Sequence, residues 1–159
     1  MPAAAPMPRP GRALLSAGMD VTLIVDGANV MGSRADGWWR DRAGAMARLH
    51  GELAALADHG ISGPVPGAAE ADEAAAGRWF PHVYLVVEGR ARAVLDLVGP
   101  APRVRVVPAR GEGDDEIASL AGRLTGRRIV VTADRELRRR CEAAGAAIAG
   151  PGWLIRQFG

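Results

Sequence analysis

The hydrophobic residues of this chain gather in four short runs, and each run leads into acid. The runs cover 21–25, 83–87, 104–107 and 129–131. Asp26 ends the first and Glu88 the second; the third runs on through a short loop to Asp114 and Asp115, and the fourth reaches Asp134. They are rich in Val, Ile and Leu with little polar alternation, the pattern of strands covered on both faces. Between them the period changes. In 38–58 the apolar positions Met46, Leu49, Leu53 and Leu56 recur at three- and four-residue steps, leaving Arg42, Arg48 and Glu52 for solvent, so a helix is predicted, stopped at His59-Gly60. Shorter helices are expected over 91–98, 114–124 and 134–144, the last closed by Gly145, and a short final strand over 146–149. Asp26-Gly27-Ala28-Asn29 reads as a turn, 60–78 as a long loop carrying Glu70, Asp72 and Glu73, 108–113 as a second loop, and Trp153-Leu154-Ile155 as a tail packed on the core.

Strands alternating with helices imply an α/β fold: three layers, α/β/α, with a mostly parallel sheet of four to five strands joined by right-handed crossovers. Such sheets bind ligands beyond the carboxyl ends of their strands, which is where the four runs deliver their acids. Carboxylates crowded at one edge repel one another unless a cation sits among them. A divalent metal is the natural candidate, and a metal held by carboxylates on such a sheet acts on phosphate esters.

The 159 residues suit one domain, expected over 21–159, preceded by a Pro- and Ala-rich extension over 1–20 that is expected to be disordered. The net charge of +2 makes no strong case for a polyanion partner by itself. All 20 basic residues are arginine. The missing lysine excludes a Walker A loop, a Schiff-base lysine and the lysine that accompanies a phosphoaspartate. The single cysteine, Cys141, excludes an internal disulfide, and the Cys and His content suggests no zinc site. No apolar run is long enough for a membrane span or a secretion signal, so a cytoplasmic protein is expected.

Each acid also has a plainer reading. Asp26 before glycine is a common turn residue, and Asn29 suits a turn or a helix cap. Asp114 and Asp115 open a predicted helix, where one could cap it; capping does not need both, so one or the other is expected as a ligand. Thr132 or Asp134 could cap the helix that follows. Arg135, next to Asp134, is the best placed arginine for a phosphate, whereas Arg138, Arg139 and Arg140 spread around the helix and are mostly expected to face solvent. Glu88 either completes the cluster or is the polar end of a strand. Trp38 and Trp39, near the Asp26 edge, are more often packing than base-stacking residues.

At these positions the sequence resembles the NYN branch of the PIN-like nuclease superfamily, close to the YacP-like group. The opening strand and Asp-Gly-x-Asn turn stand as Val25-Asp26-Gly27-Ala28-Asn29. The glycine-and-acid helix start stands as Gly113-Asp114-Asp115-Glu116-Ile117, and the Thr-x-Asp-Arg strand end as Thr132-Ala133-Asp134-Arg135. Leu137 and Ala144-Gly145-Ala146 also fit, and the match runs in order over 21–149. Loop 60–78 has no counterpart, and Glu88 stands where relatives often carry aspartate. The resemblance implies a ribonuclease in which Mg²⁺ or Mn²⁺ is held by Asp26, Asp114 or Asp115, and Asp134, with Glu88 a further candidate ligand. Asn29, Thr132 and Arg135 would position substrate. Single-stranded RNA is the expected partner, with the ribosome a candidate place of action. The same acids would serve a phosphohydrolase of nucleotides or other small phosphate esters, and an RNA-binding module without chemistry is the third reading.

Overall fold

The computed structural model describes residues 20–68 and 77–159. The fold is built on a five-stranded sheet of β1 (Val21–Asp26), β4 (His82–Val87), β5 (Val104–Pro108), β6 (Arg127–Val131) and β7 (Ala147–Ala149). Their order is β5-β4-β1-β6-β7 and every pairing is parallel. Each strand matches a predicted run to within two residues at either end. β1 occupies the centre, so its carboxyl end, Asp26, lies at the middle of one sheet edge.

The helices are α1 (Gly27–Gly32), α2 (Arg42–His59), α3 (Gly113–Arg123), α4 (Arg135–Ala143) and α5 (Pro151–Gln157), with 3-10 turns at Trp38–Arg40 and Gly89–Asp96. Alternate strand residues feed two cores. Leu23, Val25, Leu85 and Val131 join α2 and α5 on one face. Ile24, Val86 and Val130 join Ile117 and Leu120 of α3 and Leu137 of α4 on the other. This period-two division across a buried sheet is what makes the architecture three-layered.

Several expectations need correction. Residues after Asp26 form a helix rather than an open turn, because Asp26 caps α1 by accepting the Asn29 N–H at 3.3 Å. The long helix is broken at Asp41, whose side chain accepts the Gly44 N–H at 2.9 Å and starts α2 afresh. Residues 89–96 wind as a 3-10 helix, which suits the burial of Ala91 and Val94 at a three-residue step. Loop 60–78 contains an antiparallel pair, β2 (Ile61–Ser62) with β3 (Arg78–Trp79). Its acids Glu70, Asp72 and Glu73 lie outside the described residues, as does nearly all of the N-terminal extension. The predicted tail is α5, with Pro151 in its first turn, and Trp153 stacks on buried Trp79 with ring centroids 6.3 Å apart. Among the described residues no helix is long and apolar enough to cross a membrane.

Candidate active site

Three of the helices that begin where strands end at the carboxyl edge carry the acids: α1 after β1, α3 after β5 and α4 after β6. Their starts bring Asp26, Asp114 and Asp134 to the same side of the sheet, and Glu88 follows β4 directly. Close backbone approach makes this possible. Gly27 packs so near β4 that a Cβ there would lie 2.5 Å from the Val86 carbonyl oxygen. A Cβ on Gly113 would lie 2.9 Å from a carboxylate oxygen of Glu88. Glycine is required at the first position because backbone faces it, and it brings Glu88 against the start of α3 at the second.

Asp26 is the centre of the arrangement and is only 5% exposed. Its Oδ2 accepts the Thr132 hydroxyl at 2.8 Å and its Oδ1 the Asn29 N–H. Thr132, itself fully buried, also accepts the Asp134 N–H at 3.2 Å. Asn29 Oδ1 accepts the Ala133 N–H at 2.8 Å, tying α1 to the end of β6. The segments at Asp26 and Thr132 are thus locked together by side chains from both. Burial pushes the Asp26 carboxyl up to about 6; the bonds from Thr132 and Asn29 work against that, and the charges of Asp114 and Glu88 add to it. Asp114 is also raised, first by burial and then by Asp134, Glu88 and Glu112, with Arg140 opposing. The charges of Asp114 and Glu88 thus reach Asp26, and those of Asp134 and Glu88 reach Asp114.

Asp115 does not join them. Its side chain is 77% exposed and pairs with Arg140 at 3.0 Å. Of the two expected alternatives, Asp114 therefore faces the cluster. Asp134 does cap α4, accepting the Leu137 N–H at 3.0 Å, so the plainer reading of that residue holds for one of its oxygens. Arg135 is exposed and makes no hydrogen bond or ion pair among the described residues. The arginines after it mostly face solvent, as expected: Arg139 and Arg140 are exposed, and Arg138 alone of the three is half-buried. Arg138 Nε donates to the Thr132 carbonyl at 2.8 Å, and Arg140 holds Asp115. Arg138 lies four residues after Asp134, hence on the same helix face, a signal legible in the spacing. Cys141 is fully buried nearby, and burial pushes its thiol up to about 11, so it stays protonated and serves packing.

Among the described residues no three of His, Cys, Asp and Glu form a ready-made metal cage. The donor set still suits a hard cation. Mg²⁺ keeps several waters and is commonly bound through one or two carboxylates plus the phosphates of a substrate, and the side chains that act on one another here are carboxylates.

The structure superposes on the crystal structure of Rae1 (YacP) from Bacillus subtilis, a W164L mutant, with a TM-score of 0.61 and 19% identity, covering 88% of this chain and 75% of that one. The two chains share an α/β fold built on a parallel sheet. The likeness meets the resemblance drawn from the ordered motifs at Asp26, Asp114 and Asp134, which pointed to the same YacP-like group. No family model matches the sequence, and no curated protein sequence matches it.

Proposed function

We propose that this PIN-like domain is a metal-dependent ribonuclease whose centre is the acidic carboxyl edge of the sheet. The observation that carries the reading is the state of Asp26: a buried carboxylate, held by Thr132 and Asn29, whose charge is resisted by Asp114 and Glu88. A buried charge opposed by neighbouring carboxylates gains from a cation.

Asp26 and Asp114 would hold Mg²⁺ or Mn²⁺, with Asp134 and Glu88 close enough in charge to assist. When bound, the ion would supply an acidified water as nucleophile and would neutralise charge on the phosphodiester. The protein's own residues do the rest. Thr132 fixes one oxygen of Asp26 and so leaves the carboxylate a single orientation. Asn29 keeps α1 docked on β6. Arg140 draws Asp115 away from the cluster, which limits the negative charge an incoming phosphate meets. Arg135, exposed beside Asp134 and unpaired among the described residues, would hold a flanking phosphate. No lysine is present to act as nucleophile or phosphate clamp, and none is needed.

RNA rather than a small ester is favoured by the resemblance to the NYN group, and a single strand by the ease with which it reaches a site without melting a duplex. The test is incubation of a mixed RNA pool with Mn²⁺ or with chelator, using wild type and Asp26→Asn. Cleavage by wild type with Mn²⁺ alone is expected. Equal degradation by both proteins would remove the assignment. Phosphate release from mononucleotides without RNA cleavage would replace it with the small-ester reading.

A further inference from the structure

The four tryptophans of this chain are used in two different ways. Trp79 and Trp153 stack inside the core on the α2 side of the sheet. Trp38 and Trp39 instead meet edge to face, with ring centroids 5.9 Å apart and planes at 87°, in the 3-10 turn before α2. Trp39 is 55% exposed. Arg42 lies over the Trp38 ring at 5.0 Å and Arg40 over the Trp39 ring at 5.7 Å. Among the described residues neither guanidinium forms an ion pair. The carboxylate between them, Asp41, is spent on capping α2.

The position of this pair is fixed by two contacts. A Cβ on Gly27, the residue after Asp26, would lie 3.0 Å from Met46 Cε, so the start of α2 sits beside the acidic edge. Arg42 precedes Met46 by about one helical turn. A Cβ on Gly32 would lie 3.9 Å from Trp38 Cζ2, so Trp38 rests against the end of α1, the helix that Asp26 caps. The aromatic pair and its arginines therefore flank the same end of the sheet as the carboxylates.

We propose that Trp38 and Trp39, with Arg40 and Arg42, form a stacking platform for the bases of single-stranded RNA entering the acidic edge. The choice of RNA rests on the ribonuclease reading; the platform itself rests on these side chains. An exposed ring accepts a base on its free face, and unpaired guanidiniums beside it suit the phosphates that join successive bases. Trp39 packs its edge on Trp38 yet leaves more than half of its surface in water at the rim of a candidate site, so ring surface remains available to a ligand. A duplex hides its base faces and is rejected by the same surface.

The test is fluorescence anisotropy with a labelled twelve-nucleotide adenosine RNA, single-stranded or annealed to its complement, in chelator so that nothing is cut. Wild type should bind the single strand at least about tenfold more tightly than the duplex. Trp39→Ala should weaken single-strand binding about tenfold, the scale of one lost base stack. Trp39→Phe should retain most of the affinity. Circular dichroism should be unchanged, as Trp39 is half in solvent. Binding by Trp39→Ala within twofold of wild type overturns the platform, as does equal loss in the Phe and Ala variants or an absence of binding by wild type. Mn²⁺-dependent cleavage, read separately on the same RNA, distinguishes this result from failure of the ribonuclease reading. Cleavage with no effect of Trp39→Ala on binding removes the platform alone. Trp39-dependent binding without cleavage removes the nuclease and keeps the platform.

Discussion

Thr132 donates its hydroxyl to Asp26 Oδ2 at 2.8 Å across 106 positions of sequence. Both residues are buried, and the bond joins the carboxyl ends of two neighbouring strands. It opposes the burial that raises the Asp26 carboxyl. Thr132→Val keeps the shape and removes the donor. The Asp26 carboxyl should rise further, and the acid limb of an RNA-cleavage profile should move to higher pH. The lost bond should also cost about 1–3 kcal/mol of stability. A profile that stays in place after Thr132→Val would separate Asp26 from the titration that governs activity.

The pH dependence of stability has a definite sign. The Asp26 carboxyl is raised from 3.8 to about 6, so folding takes up a proton between those values. Its contribution to stability is fully present below about pH 4 and declines as the pH rises through about 6, by on the order of 3 kcal/mol. Asp26→Asn abolishes this titration. Its melting temperature should exceed that of wild type at pH 7.5, and the gap should close toward pH 4. A gap independent of pH would contradict the raised carboxyl.

A cation that binds the folded protein stabilises it by mass action. Adding Mn²⁺ at pH 7.5 should raise the melting temperature of wild type, and the increase should be lost in Asp26→Asn, measured by differential scanning fluorimetry. An equal increase in both proteins would place the ion elsewhere.

Asp114 and Asp115 are adjacent but differ in role. Asp114→Asn should lower RNA cleavage by at least about 100-fold, the scale expected when a metal-site group is removed. Asp115→Asn, at an exposed pair with Arg140, should change it by only a few-fold. Steady-state cleavage rates of the two variants decide the matter, and the reverse ranking would exchange their assignments.

Gly27→Ala tests the close approach of α1 to β4. A Cβ 2.5 Å from the Val86 carbonyl has no flexible neighbour to displace, so backbone must move. The expected loss is about 1–3 kcal/mol, seen as several degrees of melting temperature. Unchanged stability would mean that α1 sits further from the sheet.

The parallel strands were legible because their runs of Val, Ile and Leu have one physical explanation, burial on both faces, and the acids after them follow from chain order alone. The same holds for α2 from Met46 onward, where the apolar spacing is long enough to be unambiguous. Six residues with glycine at both ends, as in α1, carry too little periodicity to distinguish helix from turn; the Asp26 cap and docking against Val86 decide it. The β2–β3 pair is two residues per strand and exists only because its distant halves meet. Whether Asp114 or Asp115 faces the cluster could not be read from the chain, since neighbours on a helix point about 100° apart and only the docking of α3 selects one. The partners of Arg138 and Arg140 were hidden for the same reason. Local pattern therefore determined which residues form strands and where acid leaves them. Which carboxylates meet, and what holds them, belongs to the packing of helices on the sheet, because side-chain direction is set by contacts between segments far apart in sequence.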